Sequence, residues 1–201
     1  MVYLSNDMMV DYFPDSVLLN MNSCSVILNW LGEDKKWDLL YRGTQDGFSA
    51  NCFHKKCDQR GETVTIIKCK IGSDSVIFGG YTSKSWITPP HQLRQFVEDK
   101  EAFIYLLAIN DQMCPVKSLC KSPKYAIYNH QRCGPVFGDG FDLFIDDKCN
   151  KQQGGWISIE SNHAYDTHYD QIQFSSITKN QSCVYFQVEE IEVFGLDEYI
   201  L

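Results

Sequence analysis

The 201 residues carry 26 acidic against 18 basic side chains, a net charge of −8, and no Lys/Arg cluster offsets it, so a phosphate backbone is an unfavourable partner. At this length roughly 70% of the unfolded surface can be buried without a disulfide or metal staple, and 44% hydrophobic with 22% charged residues excludes a disordered chain. No window approaches the ~18 apolar residues of a membrane span, the acidic start MVYLSNDMMVDYFPDS is no export signal, and nine cysteines is an odd number, so the expectation is one soluble, intracellular domain over 1–201 with reduced thiols.

In chain order, Tyr12 and Phe13 before Pro14 suggest a docked extended segment. Cys24, Ile27, Leu28 and Leu31 then fall on one helical face, with Asn22 or Ser23 as the cap and Gly32 as the stop. Trp37 to Tyr41 reads as a strand and Asp46-Gly47 as a turn. Ser49 caps a second helix, Phe48 and Phe53 have the spacing of a hydrophobic staple, and Gly61 ends it.

The stretch Thr63 to Trp86 is the organising element, a hairpin turning at Gly72 to Ser75. Val64 and Ile66 point to one face of its first strand, and Ile67, Cys69 and Ile71 to the other. Gly79-Gly80 interrupts the second strand, marking a bulge, a positive φ or a close backbone, and the reading is a bent exit towards Trp86. Pro89-Pro90 opens a surface excursion with a helical turn carrying Leu93, Phe96 and Val97. Ala102 to Ile109 is a strand, Cys114 to Lys124 a loop, Tyr125 to Tyr128 a strand, Gly134 to Gly140 a glycine-rich turn, and Phe141 to Ile145 a strand. A loop over Asp146 to Gly155, a strand at Trp156 to Ile159 and a polar loop over Ser161 to Asp170 follow. In the last element Val184, Phe186 and Val188 have one parity and Ile191 and Val193 the other, which predicts a bulge or kink at Glu189-Glu190, with two separate short strands as the alternative. Two early helices and seven or more strands predict an α+β domain, a two-layer antiparallel β-sandwich flanked by two short N-terminal helices and small helical turns.

The succession LLYRGTQDGFSANCFHKKCDQRG (39–61), TVTIIK (63–68), FGGYTSKSW (78–86), DKEAFIYLL (99–107), AIY (126–128), GPVFGDGFDLFI (134–145) and EEIEVF (189–194) resembles a TLDc domain over residues 17–196. The resemblance implies a two-sheet sandwich without an enzymatic cofactor, protection against oxidative stress, and binding to the soluble sector of the vacuolar-type proton ATPase. The expectation is a cytoplasmic protein that reaches endolysosomal membranes only through that partner; the net charge and the absence of a long apolar window add the expectations of no nucleic-acid ligand and no direct membrane insertion.

Candidate partner-binding or loop-shaping residues are Gly79, Gly80, Ser83, Trp86, Gly134, Gly138, Gly140, Asp142, Glu190 and Glu192. Gly134, Gly138 and Gly140 are not a phosphate cradle, because Gly140 leads into a strand rather than a helix N-terminus. No Gly-x-Ser-x-Gly elbow supports a hydrolase. No Cys-x2-Cys pair anchors zinc, and Cys52 and Cys57, five apart on a helix, point apart by ~140°. The expectation is therefore a non-enzyme with no catalytic residue, no metal and no cofactor. The alternative is a stress-related redox or hydrolytic enzyme using thiols or a Ser/Asp/Glu cluster, with Cys57 beside Lys55 and Lys56 as the redox candidate through a lowered pKa.

Overall fold

The computed structural model describes residues 12–32, 35–90, 93–158, 164–166 and 182–196. The chain begins with helix α1 (Met21–Leu31), strand β1 (Trp37–Arg42), and helices α2 (Gly43–Asp46) and α3 (Ala50–Cys57). The hairpin β2 (Thr63–Ile71) and β3 (Asp74–Thr82) is followed by β4 (Gln95–Val97), β5 (Phe103–Ile109), β6 (Gln112–Leu119) and β7 (Ile127–Asn129). Strands β8 (Cys133–Phe137), β9 (Leu143–Asp146), β10 (Gly155–Ser158) and β11 (Cys183–Leu196) complete it. The fold is mostly β: the strands form one open antiparallel sheet in the order β4-β7-β8-β9-β10-β11-β2-β3-β5-β6, with β1 also paired to β11.

The hairpin sits in the middle because both of its faces are apolar. Val64 and Ile66 pack in one cluster with Ile27 and Leu28 of α1, Phe13 and Trp37. Ile67, Cys69 and Ile71 pack in the other, with Phe78, Phe137 and Phe186. Each such side chain contributes about 1.5–3 kcal/mol when fully buried. Phe13 is buried, as expected of a docked segment. Although β9, β10, β11 and β2 separate β8 from β3 along the sheet, Phe137 of β8 lies against Gly80 of β3. The sheet curls far enough for its distant strands to meet.

The parity switch in β11 has the predicted cause. Val188 pairs with Cys69 and Glu190 with Lys68, leaving Glu189 as the extra residue of a bulge. Val184, Phe186, Val188, Ile191 and Val193 consequently share one core cluster.

Several local expectations are corrected. The α1 cap is Asn20, two residues before Asn22; its side chain accepts from the Ser23 N–H while the Ser23 hydroxyl accepts from the Asn20 N–H, a reciprocal capping box. Asp46 closes the short helix α2 rather than a simple turn. Ser49 caps α3 as expected, but that helix stops at Cys57, before Gly61. The excursion after Pro90 is the strand β4, not a helical turn, because Phe96 and Val97 find ladder partners in Tyr128 and Ile127. Residues 112–119 form the edge strand β6 instead of a loop; Pro115 is tolerated there because, among the described residues, β6 pairs only with β5. Gly134 lies inside β8, so the glycine-rich turn begins only at Gly138. Strand β3 runs through Gly79-Gly80 to Thr82 without the expected bent exit. Most of the loop expected over 161–170 lies outside the described residues.

Candidate functional site

The predicted site residues divide by depth. At Gly79 a Cβ would stand 1.9 Å from the Thr65 carbonyl oxygen and 2.6 Å from the Tyr105 hydroxyl, and at Gly80 it would enter the Phe137 ring. Of the three explanations open from sequence, close approach is the one that applies, since neither glycine has a positive φ. Trp86 is 1% exposed, donates its indole N–H to Thr63 Oγ1 at 2.9 Å, and packs edge-on against Phe53 and Phe137. Gly134 is buried against Ile145. These four shape the scaffold from within.

Ser83, Gly138, Gly140 and Asp142 lie on two tethered turns. Asp99, almost fully buried, accepts from the Thr82 hydroxyl at 2.8 Å, the Ser83 N–H at 2.7 Å, the Ser83 hydroxyl at 2.8 Å and the Glu101 N–H at 3.0 Å. Gly138 turns with φ of +87°, and any Cβ there would collide with Oδ2 of the buried Asp142. Asp142 accepts from the Ala164 and Tyr165 N–H groups at 3.2 and 3.3 Å, and Gly140 is half-buried on the same turn. Tyr165 braces the Gly138 turn: its hydroxyl donates to the Ala126 carbonyl at 2.8 Å, which also accepts the Gly138 N–H at 3.0 Å. Burial first, then the Cys120 thiol and the Asp99 and Asp142 carboxylates, hold that phenol protonated.

Glu190 and Glu192 belong to a different region, beyond the bulge of β11. Glu192 is wholly buried and accepts from Arg42 Nε and Nη2 at 3.0 and 2.8 Å, from the Ser16 hydroxyl at 2.6 Å and from the Val17 N–H at 2.9 Å. Arg42 also donates to the Asp15 carbonyl. Glu190 accepts from the N–H and hydroxyl of Thr44 and from the Ile191 N–H. These carboxylates fasten the segment before α1 and the start of α2 to the sheet. Sequence reasoning named both glutamates but missed Ser16, which lies outside the quoted blocks, and Arg42 and Thr44, which lie within LLYRGTQDGFSANCFHKKCDQRG. It also missed Asp99, for which the quoted block DKEAFIYLL did hold a signal.

The thiols are placed for packing. Cys57 is completely buried, and that burial, reinforced by Asp58, raises its pKa well above the ordinary thiol value; Lys56 opposes this only weakly. The lowered pKa expected from its lysine neighbours is thereby corrected. Burial likewise pushes Cys133 and Cys149 up to about 12, and Cys24 and Cys120 up to about 11. All nine cysteines are free. Among the described residues no three His, Cys, Asp or Glu side chains gather as a metal site requires, and no helix is long and apolar enough to cross a membrane.

The family model of the TLDc domain matches residues 13–197. The chain belongs to the TLDc family. No curated protein matches it. Within this TLDc domain the blocks quoted from sequence fall on structural joints: the glycines of FGGYTSKSW make room, the Asp of DKEAFIYLL ties a turn, and the glutamates of EEIEVF hold the N-terminal segment.

Proposed function

We propose that this TLDc domain is a non-enzymatic interaction module that binds the soluble sector of the vacuolar-type proton ATPase and acts in protection against oxidative stress. The carrying observation is how its buried carboxylates are used: Asp99, Asp142, Glu190 and Glu192 accept from backbone N–H groups, and with neighbouring hydroxyls and Arg42 they fasten loops to the sheet. A stiff scaffold holding irregular turns in place is the architecture of recognition by shape. In this reading the curled sheet works as the two layers of a sandwich, and the turns at Ser83 and Gly138 to Gly140 face the partner. The thiols, driven towards their protonated form by burial, weigh against the redox alternative.

The net charge of −8 favours a basic patch on the partner, and association should weaken with salt. The domain then reaches endolysosomal membranes from the cytoplasm through the pump. The test is retention of soluble-sector subunits on the immobilised chain: retention at low salt that declines as salt rises supports the proposal, and a chain that retains no subunit at low salt overturns it.

A further inference from the structure

Two histidines meet where the end of α3, the segment after Trp86 and the turn between β7 and β8 come together. His54 is buried, with Nδ1 at 2.8 Å from Oδ1 of Asp58 and Nε2 at 3.2 Å from the His130 carbonyl oxygen. Asp58 Oδ2 accepts from the Thr88 hydroxyl at 2.7 Å, and the His130 carbonyl also accepts the Cys133 N–H at 3.0 Å. One imidazole therefore joins three separate stretches of chain.

Both partners of the His54 ring, an ionised carboxylate and a carbonyl, are acceptors with no proton to give. A neutral imidazole has a single N–H and would set the lone pair of its other nitrogen against an oxygen. Only the imidazolium donates on both sides. The His130 ring has the opposite requirement: its Nδ1 accepts from the Arg132 N–H at 3.3 Å and faces the Cys133 thiol at 3.7 Å, so that nitrogen carries no proton. Burial first, then the charges of Arg94, Arg132 and His54, lower the His130 pKa and favour the neutral ring.

We propose that His54 and His130 form a pH-gated clasp on the turn between β7 and β8, closed when His54 is charged and His130 neutral. Rising pH strips the Nε2 proton of His54, because the Asp58 carboxylate is the stronger acceptor and keeps the proton on Nδ1, and the His130 carbonyl loses that donor. Falling pH puts a proton on Nδ1 of His130, which displaces the Arg132 N–H and adds a positive charge beside Arg94, Arg132 and His54. The turn is thus fastened inside a pH window and loosened on either side of it. The charged and titratable groups facing the pair are Asp58 from α3, Arg94 from the stretch before β4, Tyr128 from β7, and Arg132 and Cys133 from the turn and β8, with Asp146 and Asp147 beyond Cys133. The segment after Trp86 contributes only the uncharged Thr88 hydroxyl.

The test is a pH titration of the full chain followed by nitrogen-15 imidazole spectra, which count the protons on each ring. At about pH 7 His54 should carry two N–H protons and His130 one, on Nε2. As pH rises, the carbon-13 resonance of the His130 carbonyl should move together with the loss of the second His54 proton. As pH falls, the Arg132 amide resonance should move with the arrival of the second His130 proton. Asp58→Asn, at a position 21% exposed, should lower the pH at which His54 gives up that proton, and His54→Gln should leave the His130 carbonyl indifferent to alkaline pH. The spectra of the unaltered chain and of Asp58→Asn decide the matter whether or not His54→Gln folds. A single N–H on His54 or two on His130 at about pH 7 overturns the proposal, as do a His130 carbonyl that ignores the His54 titration and an Asp58→Asn chain that titrates like its parent.

Discussion

Strand β11 is two different strands joined at Glu189. Before the bulge its outer face is open, with Tyr185 51% exposed and Gln187 beside it in solvent. Beyond the bulge the same side of the sheet carries Glu190, Glu192 and Phe194, all buried. Phe194 lies in the cluster under α1, while the glutamates hold the segment from Asp15 to Thr44 through the backbone and hydroxyl groups it offers. The inner face is apolar throughout. The difference shows how one inserted residue keeps a core face continuous while it switches the opposite face from bare to covered, and why carboxylates suit the covered half. A chain segment lying over a sheet brings unpaired N–H groups that an apolar residue would leave unsatisfied.

The comparison can be broken outright by deleting Glu189. With the bulge gone, Ile191 and Val193 must exchange faces with the glutamates or the pairing with β2 must slip, and no cooperative thermal transition should remain. Next in size is Glu192→Ala. It leaves the guanidinium of Arg42, 15% exposed, without its counter-charge and should cost about 3 kcal/mol in denaturant unfolding. Greater susceptibility of the segment before α1 to protease should accompany that loss, whereas an unchanged midpoint would mean that the clasp contributes nothing.

A pH effect should report on the inner side of the bulge. Cys69 pairs in register with Val188, and the Cys149 carbonyl accepts the Val188 N–H at 3.1 Å. Burial holds both thiols protonated in the fold, with Cys149 pushed from 9.0 up to about 12. The folded pKa lies above the unfolded one, so the stabilisation is complete below about pH 9 and disappears as pH climbs towards about 12. Thermal midpoints measured across that window should fall steadily. The smallest change belongs to the bare half, where Tyr185→Ser should shift stability by only about 0.5 kcal/mol.

How much of this was readable beforehand depended on whether a residue's role is written in its own spacing. Val64 and Ile66 against Ile67, Cys69 and Ile71 disclosed both covered faces of β2, and Val188 against Ile191 disclosed the bulge, because side-chain alternation in a strand is strict. Strand β4 escaped because it is only three residues long, and β6 because an edge strand needs little apolar content and a proline inside it argues for a loop unless the neighbouring edge is known to be free. Cys57 was misjudged because two adjacent lysines are visible in sequence and the depth of the site is not. Gly79 and Gly80 were recognised as constrained, but the atoms that constrain them come from Thr65, Tyr105 and Phe137, the last two far off in the chain. The Asp99 and Asp142 tethers likewise depend on donors that only the folded chain brings near.

The two ends of the open sheet carry a consequence for the behaviour of the protein at high concentration. One end is only the three residues of β4; the other, β6, places Pro115 and Lys117 along its rim. A short strand offers little template, a proline withholds a donor and a lysine resists burial beside an identical neighbour, so copies of this chain are discouraged from zipping together into fibrils through either margin.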